Sequence, residues 1–187
     1  MELSGQNRDL TLLLQRVSGG DVAARADLFG AMYPELRRIA ELRMRSERDD
    51  HTLQSTALVN EFFLQMARQR DFLWRDRQHF LAVASQAMRC LLIDYARAHK
   101  AQRRGGGLKL WIDDFDMAGR DPVDVLVIND LLAKLAAEEP RMARVVEFRC
   151  FGGLSNGEIA EILGIDDRTV RRDWQVARAW LRGQLMR

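Results

Sequence analysis

Residues 154–181 near the C-terminus, LSNGEIAEILGIDDRTVRRDWQVARAWL, leave this chain few ways to fold. Ser155 followed by Glu158 is a capping box, in which each side chain satisfies the other's free backbone N–H at a helix start. Ile159, Ile162 and Leu163 give that helix one apolar face. Gly164 ends it, because glycine adopts the left-handed conformation without a Cβ penalty. Asp166 or Asp167 can cap a second helix after a turn of about three residues. In that second helix Val170, Trp174, Ala177 and Leu181 share one face. Arg168, Arg171, Arg172, Gln175 and Arg178 share the other, interrupted only by Asp173. A short helix, a tight glycine turn and a second helix with a basic outer face is the helix-turn-helix plan. Arginines at the start of such a helix reach guanine edges or phosphates in the major groove. Arg168, Thr169, Arg171, Arg172, Gln175 and Arg178 are therefore the expected DNA contacts. The competing reading is a plain helical hairpin with a solvated charged face; the spacing of box, turn and arginines favours DNA.

The rest of the chain reads as helix, so the expected fold class is all-α. Leu10, Leu13, Leu14 and Val17 form a first apolar stripe, stopped at Gly19 and Gly20, with Asp21 able to cap the next helix. Leu28, Met32, Leu36 and Ile39 recur at helical spacing within 22–45, and Leu58, Phe62 and Met66 within 56–66. Segment 77–104 is the longest, with Phe80, Ala84, Met88, Leu91, Tyr95 and Ala98 as its buried stripe. Residues 105–128 open on Gly-Gly-Gly, hold five aspartates and show no period, which reads as a flexible acidic linker. Two small helical domains, 1–104 and 129–187, are expected on either side. Charge follows the same division: net +4 over 1–104, −3 over 105–128 and +1 over 129–187, which the total of +2 conceals. The acidic linker could fold back over the basic helix before it.

That helix carries Arg89, Arg97, Lys100 and Arg104 on one stripe, with Ile93 between them. Such a stripe meets backbone phosphates along about 22 Å of helix. Ahead of it, QRDFLWRDRQH interleaves Phe72 and Trp74 with Arg75 and Arg77. Aromatics among arginines suit capture of unstacked bases from single-stranded DNA. For this segment taken alone, the plainer reading, that the two rings cover a helix junction, is the stronger one.

These segments carry a resemblance over about residues 8–185. The whole chain resembles a bacterial sigma factor of the extracytoplasmic-function (ECF) class. Segment 154–181 resembles the domain that reads the upstream −35 promoter element, and RMARVVEFRCFGG resembles that domain's first helix. MRCLLIDYARAHKAQRR resembles the RNxxxDxxR-type helix at the −10 element, matching at Arg89, Asp94 and Arg97 and departing at Cys90. STALVNEFFLQM resembles the segment that docks on the β′ clamp helices of RNA polymerase, which puts Leu58, Asn60, Glu61 and Gln65 at that contact. Chains sharing HTLQxTALVxE and RRGGG form a subgroup that this one resembles. The resemblance implies core RNA polymerase, through its β′ clamp helices and β flap, and promoter DNA as partners. It implies promoter-directed initiation and assisted DNA melting, and raises an anti-sigma protein as a further partner.

The docking segment departs from the family in one respect. Its usual acidic residues are missing, and only Glu61 keeps a charge. Phosphorylation adds about −1.5 to −2 charge, so a Ser/Thr kinase acting on Thr56, or secondarily Ser55, would restore what is absent. Alternatively, Thr56 is only the N-cap of the apolar run behind it.

Other classes fit less well. No apolar run reaches the roughly 18–20 residues of a membrane span, and the N-terminus lacks the pattern of a secretory signal. Cys90 and Cys150 stand 60 positions apart and form no metal or disulfide motif, so no metal and no cofactor are expected. No catalytic grouping recurs, so an enzyme is not expected, and a cytoplasmic location is. The strongest alternative is a helix-turn-helix regulator that binds DNA alone, with a sensing or dimerisation domain in front.

Overall fold

The computed structural model describes residues 2–44, 51–68, 75–102, 109–110 and 123–186. Among them are eight helices: α1 (Glu2–Ser18), α2 (Val22–Met44), α3 (His51–Arg68), α4 (Arg77–Gln102), α5 (Val125–Glu138), α6 (Pro140–Cys150), α7 (Asn156–Leu163) and α8 (Asp167–Leu185). The expected all-α class holds.

Local chemistry accounts for the boundaries. Gly20 closes α1 at φ +87, a left-handed angle. The Asp21 carboxylate then accepts from the N–H groups of Ala23 and Ala24 at 3.0 and 3.1 Å, capping α2. The first four helices pack largely along the expected stripes: Leu14, Leu28, Met32, Leu36, Ile39, Phe62, Phe80 and Met88 are all buried, whereas Val17, Met66 and Tyr95 are half-buried and Ala98 is exposed. Phe63 locks α3 to α2, with its ring 4.5 Å from Phe29 and 6.0 Å from Tyr33.

Two sequence expectations change. The α3 helix starts at His51, five residues before the expected run, so Thr56 lies inside it and is not its N-cap. The expected linker over 105–128 is shorter than its composition suggests. Its ends pair as a two-residue antiparallel ladder, β1 (Lys109–Leu110) with β2 (Val123–Asp124). Helix α5 begins directly after β2, because the Asp124 carboxylate accepts from the Leu126 N–H at 2.8 Å. Linker residues 105–108, with the glycine run, and 111–122 lie outside the described residues.

The last four helices bury Ile128, Leu132, Val146, Phe148, Ile159, Val170 and Leu181. Their apolar residues and those of α1–α4 belong to one continuous cluster. Helix α4 makes the junction, packing against α5, α6 and α7.

Candidate nucleic-acid interface

The α7–turn–α8 unit forms as its local signals require. Ser155 Oγ accepts from the Glu158 N–H, and Glu158 Oε2 accepts from the Ser155 N–H at 3.0 Å. Gly164 sits at φ 65, ψ 36, and Asp166 caps α8 by accepting from the Thr169 N–H at 2.8 Å. The Thr169 hydroxyl and N–H both bind this carboxylate and hold it below the usual carboxylate range. Thr169 thus serves the cap in this structure.

Arg168, Arg171, Arg172 and Gln175 are exposed on α8, and Arg178 is half-buried. Arg171 pairs with Asp167 one turn back, and Arg172 lies 3.7 Å from Asp173. The Arg171–Asp167 pair is solvated, and such pairs are weak, so the Arg171 guanidinium can exchange to phosphate; the Arg172 side chain is itself 68% exposed.

Asp173 is not part of the outer face. It is 1% exposed and points inward, where Arg141 of α6 donates to it at 2.6 and 3.2 Å. Beside it, the Arg149 guanidinium stacks over Trp174 at 5.2 Å and donates to Asn156 at 2.8 Å. Together these contacts fix the rotation of α8 about its axis, and so fix which arginines face outward. The spacing held the signal: Asp173 falls three residues after Val170 and four before Ala177, inside the buried stripe.

On α4 the expected basic stripe is interrupted. Arg97 is exposed, 3.9 Å from Asp94. Arg89 is half-buried and donates to Glu147 at 3.0 Å and to Asn129 at 2.9 and 3.1 Å. Ile93 is buried. Lys100 lies on the last turns of α4, and Arg104 lies outside the described residues. Of the residues expected to capture bases, Phe72 and Trp74 lie outside the described residues and Arg75 is exposed. Arg77 is pinned to Glu158 of α7 at 2.7 Å. The carboxylates that face α4 come from α6 and α7, a pairing no local pattern announces.

On α3, Leu58 points into the core rather than toward a partner, because its helical position matches Phe62. Ala57, Asn60 and Leu64 form an exposed face, with Glu61 and Gln65 half-buried beside it. Leu64 is 51% exposed and was not anticipated. Thr56 is half-buried near this face, and Ser55 precedes it in α3.

Glu158 closes the capping box and also holds Arg77. Burial raises its pKa, but hydrogen bonds from Ser155 and Arg77 outweigh that, and the net shift is downward. A carboxylate with a lowered folded-state pKa stabilises the fold above its unfolded pKa; that contribution is lost as pH falls through the folded value. Unfolding midpoints measured from pH 7 to pH 3 should therefore fall less steeply for Glu158→Gln than for wild type. Parallel curves would show that Glu158 carries no such linkage.

Among the described residues, no helix is long and apolar enough to cross a membrane, and no group of three or more His, Cys, Asp or Glu side chains is placed to hold a metal ion. Comparison with curated proteins and with solved structures gave no match. The family model for ECF sigma factor, by contrast, matches residues 7–187, which takes in all four elements of the α5–α8 unit and nearly all of α1–α4. The chain therefore belongs to the ECF sigma factor family, whose members are RNA polymerase sigma factors acting in transcription initiation.

Proposed function

We propose that this sigma factor directs core polymerase to promoters with two elements, read by α8 and by α4, and assists melting between them. The observation that carries the reading is the α8 outer face: Arg168, Arg171 and Arg172 are exposed at the start of a helix whose rotation Arg141 and Asp173 fix. Residues 1–104 serve as the polymerase-docking and −10 domain, and residues 129–187 as the −35 domain. Bases released on melting are held by Arg75 and Arg77 with Phe72 and Trp74, and phosphates by Arg89, Arg97, Lys100 and Arg104. Melting is driven by tighter binding to unstacked bases than to duplex, without covalent chemistry. The protein acts in the cytoplasm. In vitro transcription from a promoter library with core polymerase tests this reading. Selective initiation at a subset of promoters is the expected result. Shifting of promoter DNA by the protein alone, with no effect on polymerase, would favour a stand-alone regulator.

The same reading places polymerase docking on the exposed α3 face at Asn60, Glu61 and Gln65, with Leu64 beside them. Only Glu61 is acidic there, and the clamp contact in the family is acidic on the sigma side. A Ser/Thr kinase acting on Thr56, half-buried one residue before exposed Ala57, would add charge at this edge. Thr56→Glu should then bind core polymerase about threefold to tenfold more tightly than Thr56→Ala, as one added charge contact of about 1 kcal/mol implies. Equal affinities in a pull-down titration would remove the switch and leave docking itself intact.

A further inference from the structure

Asp173 stands in the apolar stripe of α8, between Val170 and Ala177, which are both fully buried. A carboxylate there is stripped of water and adds no apolar burial, so packing alone would favour a leucine. Its two oxygens face α6, where the Arg141 guanidinium takes both. Arg141 Nε donates to Oδ2 at 2.6 Å and Nη2 donates to Oδ1 at 3.2 Å. A fork of this kind is complete only when both N–H groups meet both oxygens in one plane. The rest of the α6–α8 contact lacks such direction. Apolar burial is non-directional, and the Arg149–Trp174 stack at 5.2 Å tolerates sliding. The same Oδ1 lies 3.7 Å from Nη2 of Arg172, on the outer face. One carboxylate thus ties α6 on its inner side to a DNA-facing arginine on its outer side.

We propose that Arg141 and Asp173 are positioning residues for promoter reading: their fork sets the turn of α8 about its axis, and so sets which bases its arginines distinguish. This role rests on the reading of α8 as the upstream-element helix. The lever is short but sufficient. A turn of about 20° moves a group ~6 Å from the helix axis by about 2 Å. A hydrogen bond to a base edge does not survive that displacement. A phosphate contact does, because a long arginine side chain can re-form it. Loss of the fork therefore costs discrimination between sequences and leaves non-specific affinity in place. Stability is a separate matter, since well-packed apolar residues often replace a buried ion pair without loss.

Two variants separate direction from stability, in holoenzyme assembled from the full chain and core polymerase. Arg141→Lys keeps the charge but offers a rotatable point donor in place of the fork. Arg141→Met combined with Asp173→Leu removes both charges and fills the space with apolar groups. Both should unfold within about 5 °C of wild type. Arg141→Met alone should unfold lower than either, because it leaves the buried carboxylate to Arg172. The deciding readout is a ratio: affinity for the upstream element that wild type selects from a promoter library, over affinity for random duplex. It should fall about threefold for Arg141→Lys and about tenfold for the double variant, with random-duplex affinity and its salt slope unchanged. A wild-type ratio in both variants would overturn the positioning role. So would an equal loss of specific and random-duplex affinity, which marks a damaged helix rather than a turned one. If the double variant fails to fold, Arg141→Lys decides by the same ratio. Selection of no upstream element by wild type would instead overturn the reading of α8 itself, so the two failures are distinguishable.

Discussion

Replacing Arg168, Arg171 and Arg172 together by alanine should weaken recruitment of polymerase holoenzyme to its upstream element at least about a hundredfold. Each arginine that reaches a guanine edge or a phosphate contributes about 1–3 kcal/mol, and three such losses compound. The salt dependence should change with it: each lost phosphate contact lowers the slope of log K against log salt by about 1. Stability should barely move. All three side chains are exposed, and surface substitutions of this kind stay within about 0.5 kcal/mol. Losing Arg172 does not strand Asp173, which keeps Arg141 at 2.6 Å. Arg37→Ala, which removes an exposed arginine paired with Glu41 on α2, is the control and should leave promoter affinity unchanged. Holoenzyme footprinting across a salt series makes the measurement. A triple variant that protects the upstream element as well as wild type, at every salt concentration, would remove α8 from promoter reading.

Short-range chemistry was the legible part of the sequence. The capping box at Ser155, the glycine turn at 164 and the cap at Asp21 each depend on residues within a turn of one another, and each forms as expected. The apolar stripes of α2 and α4 were legible for the same reason, since helical periodicity is local. The inward turn of Asp173 was encoded in its spacing but hidden by its charge. A carboxylate among arginines looks like surface until a partner on another helix, Arg141, is known. Arg89 marks the real limit. Its partners lie 40 and 58 positions away, and nothing near residue 89 indicates whether its guanidinium meets a phosphate, water or Glu147. The start of α3 at His51 escaped for another reason: HTLQS has no apolar period to announce a helix, and the packed run behind it carries the helix backward.

Phe151→Ala should lower stability by about 3–5 kcal/mol, the usual range for emptying a fully buried phenylalanine site. At about 2–4 °C per kcal/mol for a chain of this size, the melting temperature should drop by roughly 6–20 °C. Phe151 is 0% exposed and caps the C-terminus of α6. Its ring does not serve its own half alone. It lines a small cavity with Met32 and Leu36 of α2 and Met88 of α4, and lies under the Arg89 guanidinium. Truncation therefore removes contacts from both halves of the molecule, and the loss should register on helices far from residue 151 in sequence. Amide hydrogen exchange distinguishes this from a local defect. Protection should fall around Met32–Leu36 and Ala84–Met88 as well as in α6, because a foldon loses stability where its packing partner is lost. If only α5–α8 loses protection while α2 and α4 exchange as in wild type, the halves stand on separate cores and Phe151 belongs to one of them. Val146→Ala supplies the contrast. Val146 is equally buried in α6 but does not line that cavity, so its milder loss should stay within the last four helices.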